Sequence, residues 1–194
     1  MRRSLLACLS LLFFAVQAHA AEYKIDPDHS QVGFRVKHLT ISTVPGHFSQ
    51  FSGTFSFDPA NMSAAKAAAT INVQSISTDS QKRDDHLRGP DFFDAAKFPE
   101  IKFQTKAVEP TGKDTFTAHS ELTIHGVTKH VMLQVTYQGS AKDPWGNERA
   151  AFSATTRINR KDFGLTWNQL LETGGLVVGE DVDIVLDIEG IRQS

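Results

Sequence analysis

The chain is dominated by segments in which apolar and polar residues alternate with a period of two. This alternation is typical of β-strands with one dry face and one solvated face, because successive side chains point to opposite sides of a strand. Eight segments have the pattern, and their apolar positions fall within 32–36, 51–57, 69–73, 101–105, 116–124, 131–137, 150–158 and 182–188. The sequence therefore predicts an all-β protein of eight strands.

Turn signals separate these segments. Asp, Pro, Gly and Asn residues cluster at 58–59, 110–112 and 143–147, and these residue types favour tight turns. Short connections between successive strands indicate antiparallel pairing. Two stretches lack the period: residues 79–98 are charged and predict a short helix, and residues 160–176 predict an aromatic-rich loop.

The edges of the predicted sheet favour a closed barrel. An open antiparallel sheet has two free edges that invite aggregation, and closure removes both. An eight-stranded barrel has room inside for one small ligand. A two-sheet sandwich satisfies the same periodicity and stays open as an alternative. No internal repeat or linker interrupts residues 21–194, which we predict to form a single domain.

Small residues on the predicted inner faces indicate a cavity in that barrel. A solid core at normal packing density would use bulky side chains at these positions. The alternative is a tapering core in which small residues face large ones. The small inner residues are Gly53, Ala69, Thr105, Ala118, Ser120, Ala150, Ala154 and Thr156.

The N-terminus has the pattern of a secretory signal peptide. Arg2 and Arg3 precede an apolar stretch over residues 5–16, and Ala18-His19-Ala20 supplies the small residues of a cleavage site. We predict a signal peptide at residues 1–20, cleavage after Ala20 and export to the periplasm. The apolar stretch is too short for a membrane-spanning helix.

Cleavage also limits the chemistry of the mature protein. It removes Cys8, which is the only cysteine, so no disulfide, thiolate nucleophile or sulfur ligand remains. The full chain has 20 basic and 22 acidic residues, and losing Arg2 and Arg3 increases the acidic excess. Because its net charge is negative, the mature chain is not expected to be attracted electrostatically to nucleic acid or to anionic membranes.

Five motifs follow one another along the chain. The most distinctive is R-D-D-H-L-R-G-P-D-F-F-D-A-A-K-F-P-E-I-K-F at 83–103, and His-Ser occupies 29–30. The others are G-H-F-S-Q-F-S-G-T-F-S-F at 46–57, L-T-I-H-G-V-T-K at 122–129 and I-N-R-K-D-F-G-L at 158–165. Together these motifs resemble the YceI family of bacterial periplasmic proteins.

The resemblance implies an extended, lipocalin-like, eight-stranded antiparallel β-barrel with a short helix packed across it. It also implies a homodimer and a polyisoprenoid or similar long-chain amphiphile bound along an apolar tunnel. An isoprenoid quinone or its precursor is one candidate for that ligand. The implied protein is a periplasmic binding or carrier protein without a catalytic cofactor, in transient contact with a membrane or a lipid donor.

A tunnel of this kind binds through burial of the lipid chain. Each methylene removed from water contributes about 0.8 kcal/mol, so one isoprene unit contributes roughly 3–4 kcal/mol. The residues predicted to contact the lipid are Phe34, Val36, Phe55, Ile71, Phe103, Phe116, Ala118, Leu133, Phe152, Ala154, Ile184 and Leu186, with Trp167 as a lid.

The charged segment at 79–98 has two interpretations. Its Arg, Asp and His residues either fix the helix by capping and ion pairing, or Arg83 and His86 meet a polar head group at the tunnel mouth. The corner formed by Arg160, Asp162 and Phe163 has the same two interpretations.

Metal binding and catalysis are the alternatives from other classes. His119, His125 and His130 invite a metal site, but the chain lacks His-Glu-x-x-His, and the mature chain lacks cysteine. His29 and Ser30 are residue types of a hydrolase, yet neighbours on a strand point to opposite faces and cannot form a triad. We therefore predict a protein that is not an enzyme. A partner-binding or stress-response barrel with an incidental cavity stays an alternative.

Overall fold

The computed structural model describes residues 20–170 and 175–193, so residues 1–19 of the predicted signal peptide lie outside the described residues. One α-helix and eleven strand segments make up the described fold. They are β1 (Ala21–Ile25), β2 (Gln31–His38), β3 (Ser42–Phe48), β4 (Phe51–Phe57), β5 (Lys66–Asn72), β6 (Ile76–Ser77), α1 (Gln81–Arg88), β7 (Glu100–Pro110), β8 (Thr115–Ile124), β9 (Val127–Lys142), β10 (Glu148–Asn159) and β11 (Val178–Arg192).

These segments combine into eight strands. β1 and β2 pair with successive parts of β11. On the other side, β1 pairs with β4 and β2 pairs with β3. In turn, β4 pairs with β5 and β3 pairs with β6. Each of these three pairs of segments therefore acts as one broken strand. The strands follow chain order, every pairing is antiparallel, and β1 closes the ring on β11. The predicted eight-stranded antiparallel barrel is confirmed, and the two-sheet sandwich is not the fold.

The breaks in the first three strands explain why the alternation of apolar and polar residues did not predict some of the strand segments. A 3-10 turn at Pro27–His29 separates β1 from β2, and Asp26 caps it by accepting from the backbone N–H of Asp28. β1 is too short to display a period, and in β3 the sequence Pro45-Gly46 interrupts it. The alternation of apolar and polar residues therefore predicted only one of the two segments of each broken strand.

The register defines two ends of the barrel. The connections 39–41 and 125–126 lie at one end, together with α1 and the described residues 160–170 and 175–177 between β10 and β11, and we call it the helix end. The opposite end carries the hairpins around 111–114 and 143–147.

The helix predicted within 79–98 is present as α1, and turns over residues 89–98 follow it. Asp84 in its first turn is buried and accepts hydrogen bonds from the backbone N–H and the hydroxyl of Thr78. This carboxylate attaches the helix to the strand end before it. None of the described helices has the length and apolar character needed to cross a lipid bilayer.

Candidate functional site

The barrel interior contains a cavity of about 280 Å³ with an almost wholly apolar wall. Small-molecule sites usually measure roughly 300–1,000 Å³, so this cavity is just below the lower limit of that range. All eight strands contribute to the wall, which extends from the helix end to the opposite end. The arrangement provides a dry, elongated site for an apolar ligand.

The predicted contact residues lie in this wall, with the exception of Trp167. The wall includes Phe34, Val36, Phe55, Ile71, Phe103, Phe116, Ala118, Leu133, Phe152, Ala154, Ile184 and Leu186. They face inward because they share the apolar parity of their strands. Their contacts with a ligand stay a prediction.

Small residues leave the space that larger ones would fill. Ala118 is paired with Leu133 and Val108 on the neighbouring strands, and Ala154 is paired with Val135 and Leu186. Both alanines are buried and lie in the cavity wall. Of the eight small residues predicted on the inner faces, the wall includes Ala69, Thr105, Ala118, Ala154 and Thr156, whereas Gly53, Ser120 and Ala150 do not line it.

Aromatic rings fill the barrel at the end opposite the helix. Phe57 lies 4.8 Å from both Tyr137 and Phe152, measured between ring centroids, and 6.3 Å from Phe116. Tyr23 stacks on Phe55 at 4.9 Å in the same region. We call Phe57, Phe116, Tyr137 and Phe152 the aromatic cluster, and it forms the floor of the cavity.

The end of α1 and the segment after it cover the cavity at the helix end. Leu87, Phe92 and Phe93 lie in the wall, and the Phe93 ring meets Phe48 edge-on at 6.0 Å. Trp167 lies outside the wall and packs on Phe92 at 5.1 Å. Trp167 therefore lies behind Phe92 and does not line the cavity. Because residues 79–98 lack the strand period, the sequence did not predict that Phe92 and Phe93 line the cavity.

Arg83 and His86 make structural contacts within the same segment. Nε and Nη2 of Arg83 donate to the hydroxyl and carbonyl of Thr78 at 2.6 and 2.7 Å. Nε2 of His86 is hydrogen-bonded to Oδ2 of Asp91 at 2.9 Å, and its ring meets Trp167. Neither side chain lies in the cavity wall. A head-group contact for these two residues stays a prediction.

Arg160 is the cation that the fold brings to the cavity at the helix end. Its side chain is in the wall and only 4% exposed. Nε donates to the carbonyl of Gly179 at 2.9 Å, Nη1 donates to that of Leu165, and Cζ lies 5.9 Å from the Phe92 ring centroid. Nη2 is buried and has no acceptor among the described residues. Burial lowers the pKa of Arg160 from its ordinary value, and Glu180 partly opposes this.

Arg160 was one of two cationic positions that the sequence left ambiguous. It opens a short 3-10 turn that ends at Gly164 in the left-handed conformation (φ 81°), and this turn directs the guanidinium back under the loop. Arg160 follows directly after a strand, and this position in the sequence does not indicate that its side chain reaches the barrel interior.

The three histidines considered for metal binding lie apart. His119 is 3.6 Å from Glu109, His125 packs on the Phe98 ring in a hairpin, and His130 is paired with Glu121. Among the described residues, a different group has its possible ligand atoms close together, namely Asp26, His29 and Glu189.

Arg149 occupies the centre of that group. It donates to Asp26 at 2.7 Å, to Glu189 at 2.6 Å and to Asp143 at 3.0 Å. Its hydrogen bond lowers the pKa of Asp26, and the three carboxylates raise the pKa of Arg149. The arrangement is a compact ion-pair network around a resident cation.

The residue types of a hydrolase do not assemble into a triad here. His29 binds Asp26 at 2.8 Å, whereas the Ser30 hydroxyl donates to the carbonyl and accepts from the N–H of Glu189. Ser30 therefore serves the junction between β1 and β2, where it binds the backbone of β11.

Comparison with known proteins agrees with this geometry. The family model of the YceI-like domain matches residues 23–190. Protein YceI of Salmonella newport (strain SL254) is 41% identical over 187 residues, covering 95% of this chain and 94% of that protein.

Two solved structures have the same fold. The crystal structure of Burkholderia cenocepacia BcnA superposes with a TM-score of 0.76 at 26% identity, covering 85% of this chain and 98% of that one. A polyisoprenoid binding domain from Saccharophagus degradans gives a TM-score of 0.68 at 17% identity, covering 90% and 99%. With the family-model match and the Salmonella relative, the closed barrel and its apolar cavity identify this chain as a member of the YceI-like family.

Proposed function

We propose that this protein binds a polyisoprenoid or a similar long-chain amphiphile in its barrel cavity and acts as a carrier without catalysing a reaction. The observation that carries the proposal is the barrel cavity of about 280 Å³, whose wall is formed mainly by apolar side chains and includes residues of every strand. Burial of an isoprenoid chain there is favourable by about 0.8 kcal/mol for each methylene. Several isoprene units exceed the cost of association, estimated at roughly 4–15 kcal/mol.

The relatives support the same class of ligand. The Saccharophagus degradans domain, described as polyisoprenoid binding, has the same fold as this chain. At 17% identity that likeness concerns the fold, so the choice of ligand rests on the cavity. An isoprenoid quinone or its precursor is our specific candidate within this class.

The proposal extends to the cellular setting. The signal-peptide pattern at residues 1–20 supports export to the periplasm, with cleavage after Ala20. The family resemblance is the basis for proposing a homodimer. Transfer of the lipid would then require brief contact with a membrane or a lipid-donor protein.

Native mass spectrometry of the protein purified from a periplasmic extract tests the proposal. We expect a lipid adduct that organic extraction removes and that added prenols restore, with affinity rising from geraniol through farnesol to geranylgeraniol. The same spectra give the oligomeric state and the mass of the processed N-terminus. An extracted, folded protein that takes up none of these prenols would overturn the proposed function and favour a partner-binding barrel.

A further inference from the structure

Arg160 is a buried cation without an acidic partner in the described parts of the chain. The salt bridges of residues 20–170 and 175–193 do not include it. The charge of Glu180 acts to raise the pKa of Arg160, but Glu180 forms its salt bridge with Lys161, at 3.1 Å. Among the described residues, the guanidinium is therefore held by two carbonyls and one aromatic ring, and none of their carboxylates contacts it.

Such an arrangement is unfavourable unless something else completes it. A charge taken out of water needs both a counter-charge and full hydrogen bonding. Arg160 has its Nε and Nη1 bound to the carbonyls of Gly179 and Leu165, and this fixes the plane of the guanidinium. Nη2 is buried, and residues 20–170 and 175–193 provide no acceptor for it, although the side chain forms part of the cavity wall. The missing acceptor therefore points to a ligand.

The other polar groups near this end already have protein partners. Arg83 binds Thr78 and His86 binds Asp91, and both lie outside the wall. Lys66 is the second cation in the wall, but it is exposed and belongs to the opposite end, where it is paired with Ser56. Arg160 is thus the cation of the wall that is shielded from water.

We propose that the ligand carries an anionic oxygen group, a carboxylate or a phosphate, which accepts from Nη2 of Arg160, while its apolar chain extends toward the aromatic cluster. This inference rests on the proposed function and specifies the head group and its orientation. Arginine suits this task because its hydrogen bonds to carboxylate and phosphate are charge-assisted and stronger than neutral ones.

Two pairs of ligands with matched chains test the proposal. Farnesyl monophosphate is compared with farnesol, and palmitate with hexadecanol, by isothermal titration of the delipidated protein. Since a charge-assisted bond replaces a neutral one, we expect the anionic member to bind roughly ten- to a hundredfold more tightly in at least one pair. The pair that shows the preference identifies phosphate or carboxylate as the source.

Variants locate the preference. Arg160→Met should bind the alcohols as the wild type does and lose the preference for the anion, whereas Arg160→Lys should retain part of it. Arg157→Gln is the control because Arg157 is an exposed cation on β10 that pairs with Asp183 and lies outside the wall, and this variant should keep the full preference. In addition, the ³¹P resonance of bound farnesyl phosphate should shift between the wild type and Arg160→Lys and stay unchanged in Arg157→Gln.

The outcomes separate this inference from the proposed function. Binding of the alcohols with no preference for either anion would overturn the inference and leave the proposed function standing. A preference that survives Arg160→Met, or that disappears in Arg157→Gln, would also overturn it. Failure of all four ligands to bind would overturn the proposed function itself. If Arg160→Met does not fold, judged by its thermal melt, Arg160→Lys and the control variant decide.

Discussion

Phe34 and Gly46 are direct partners on β2 and β3, and the Phe34 ring covers Gly46 so closely that a β-carbon there would lie 2.3 Å from Cζ. The ring can therefore occupy the cavity wall only while position 46 has no side chain. One glycine in a broken strand thus determines where an aromatic wall residue lies.

Gly46→Ala should destabilise the protein, because the new methyl group displaces the Phe34 ring. We expect a loss of about 1–3 kcal/mol in the free energy of unfolding, as for other overpacked sites, measured by urea denaturation. In a Phe34→Ala background the same substitution should cost less than about 0.5 kcal/mol, since the clash is removed. Equal costs in both backgrounds would contradict this explanation.

The period of two predicted most of the barrel and of its wall. It assigned Phe116, Ala118, Leu133 and Ala154 to the interior because strand geometry alone decides which face a residue occupies. Alternation needs several uninterrupted residues to be visible, however. The short β1 and the Pro45-Gly46 sequence of β3 therefore escaped detection.

The two ends of the cavity depend on tertiary packing and were less predictable. Trp167 was expected to be a lid over the ligand, but it lies behind Phe92. Arg160 opens the 3-10 turn that ends at the left-handed Gly164, and it donates to the carbonyls of Leu165, just after that turn, and of Gly179 at the start of β11. Such loop contacts have no period, so local sequence did not distinguish Arg160 from Arg83.

Ala154→Trp should block lipid uptake, because the indole would occupy the cavity that the small side chain leaves open. We expect the fraction of protein carrying farnesol, measured by native mass spectrometry, to fall by about tenfold or more, since several buried methylenes lose their place. Thr155→Trp is the matched control, because Thr155 is the next residue on β10 and is exposed on the outer face. Uptake by Ala154→Trp at the wild-type level would mean that the ligand lies elsewhere.

Asp84→Ala should destabilise the segment that covers the cavity. The substitution leaves the N–H and hydroxyl of buried Thr78 without their acceptor, bound now at 2.9 and 2.5 Å. An unsatisfied buried donor costs about 1–3 kcal/mol, which urea denaturation would measure. Asp85→Ala is the control, since the Asp85 side chain is 62% exposed, and exposed pairs contribute about 0–1 kcal/mol. Equal losses in the two variants would contradict the role of the Thr78 contact.

Asp143 should make the fold sensitive to acid. Burial raises its pKa, but hydrogen bonds from Asn147, Arg149 and the backbone N–H groups of Asn147 and Trp145 outweigh this and hold the pKa at about 2, below the ordinary 3.8. Because the pKa is lower in the folded state, the carboxylate stabilises the protein above about pH 3.8, and this contribution disappears as the pH falls through about 2.

Unfolding free energies measured across that window for the wild type and Asp143→Asn check this prediction. The wild type should lose stability on acidification more steeply than the variant, because Asn147 and Arg149 then lose a charged acceptor. The variant should start from a lower stability at neutral pH, and the two curves should converge near pH 2. Parallel curves would show that Asp143 does not carry the acid sensitivity.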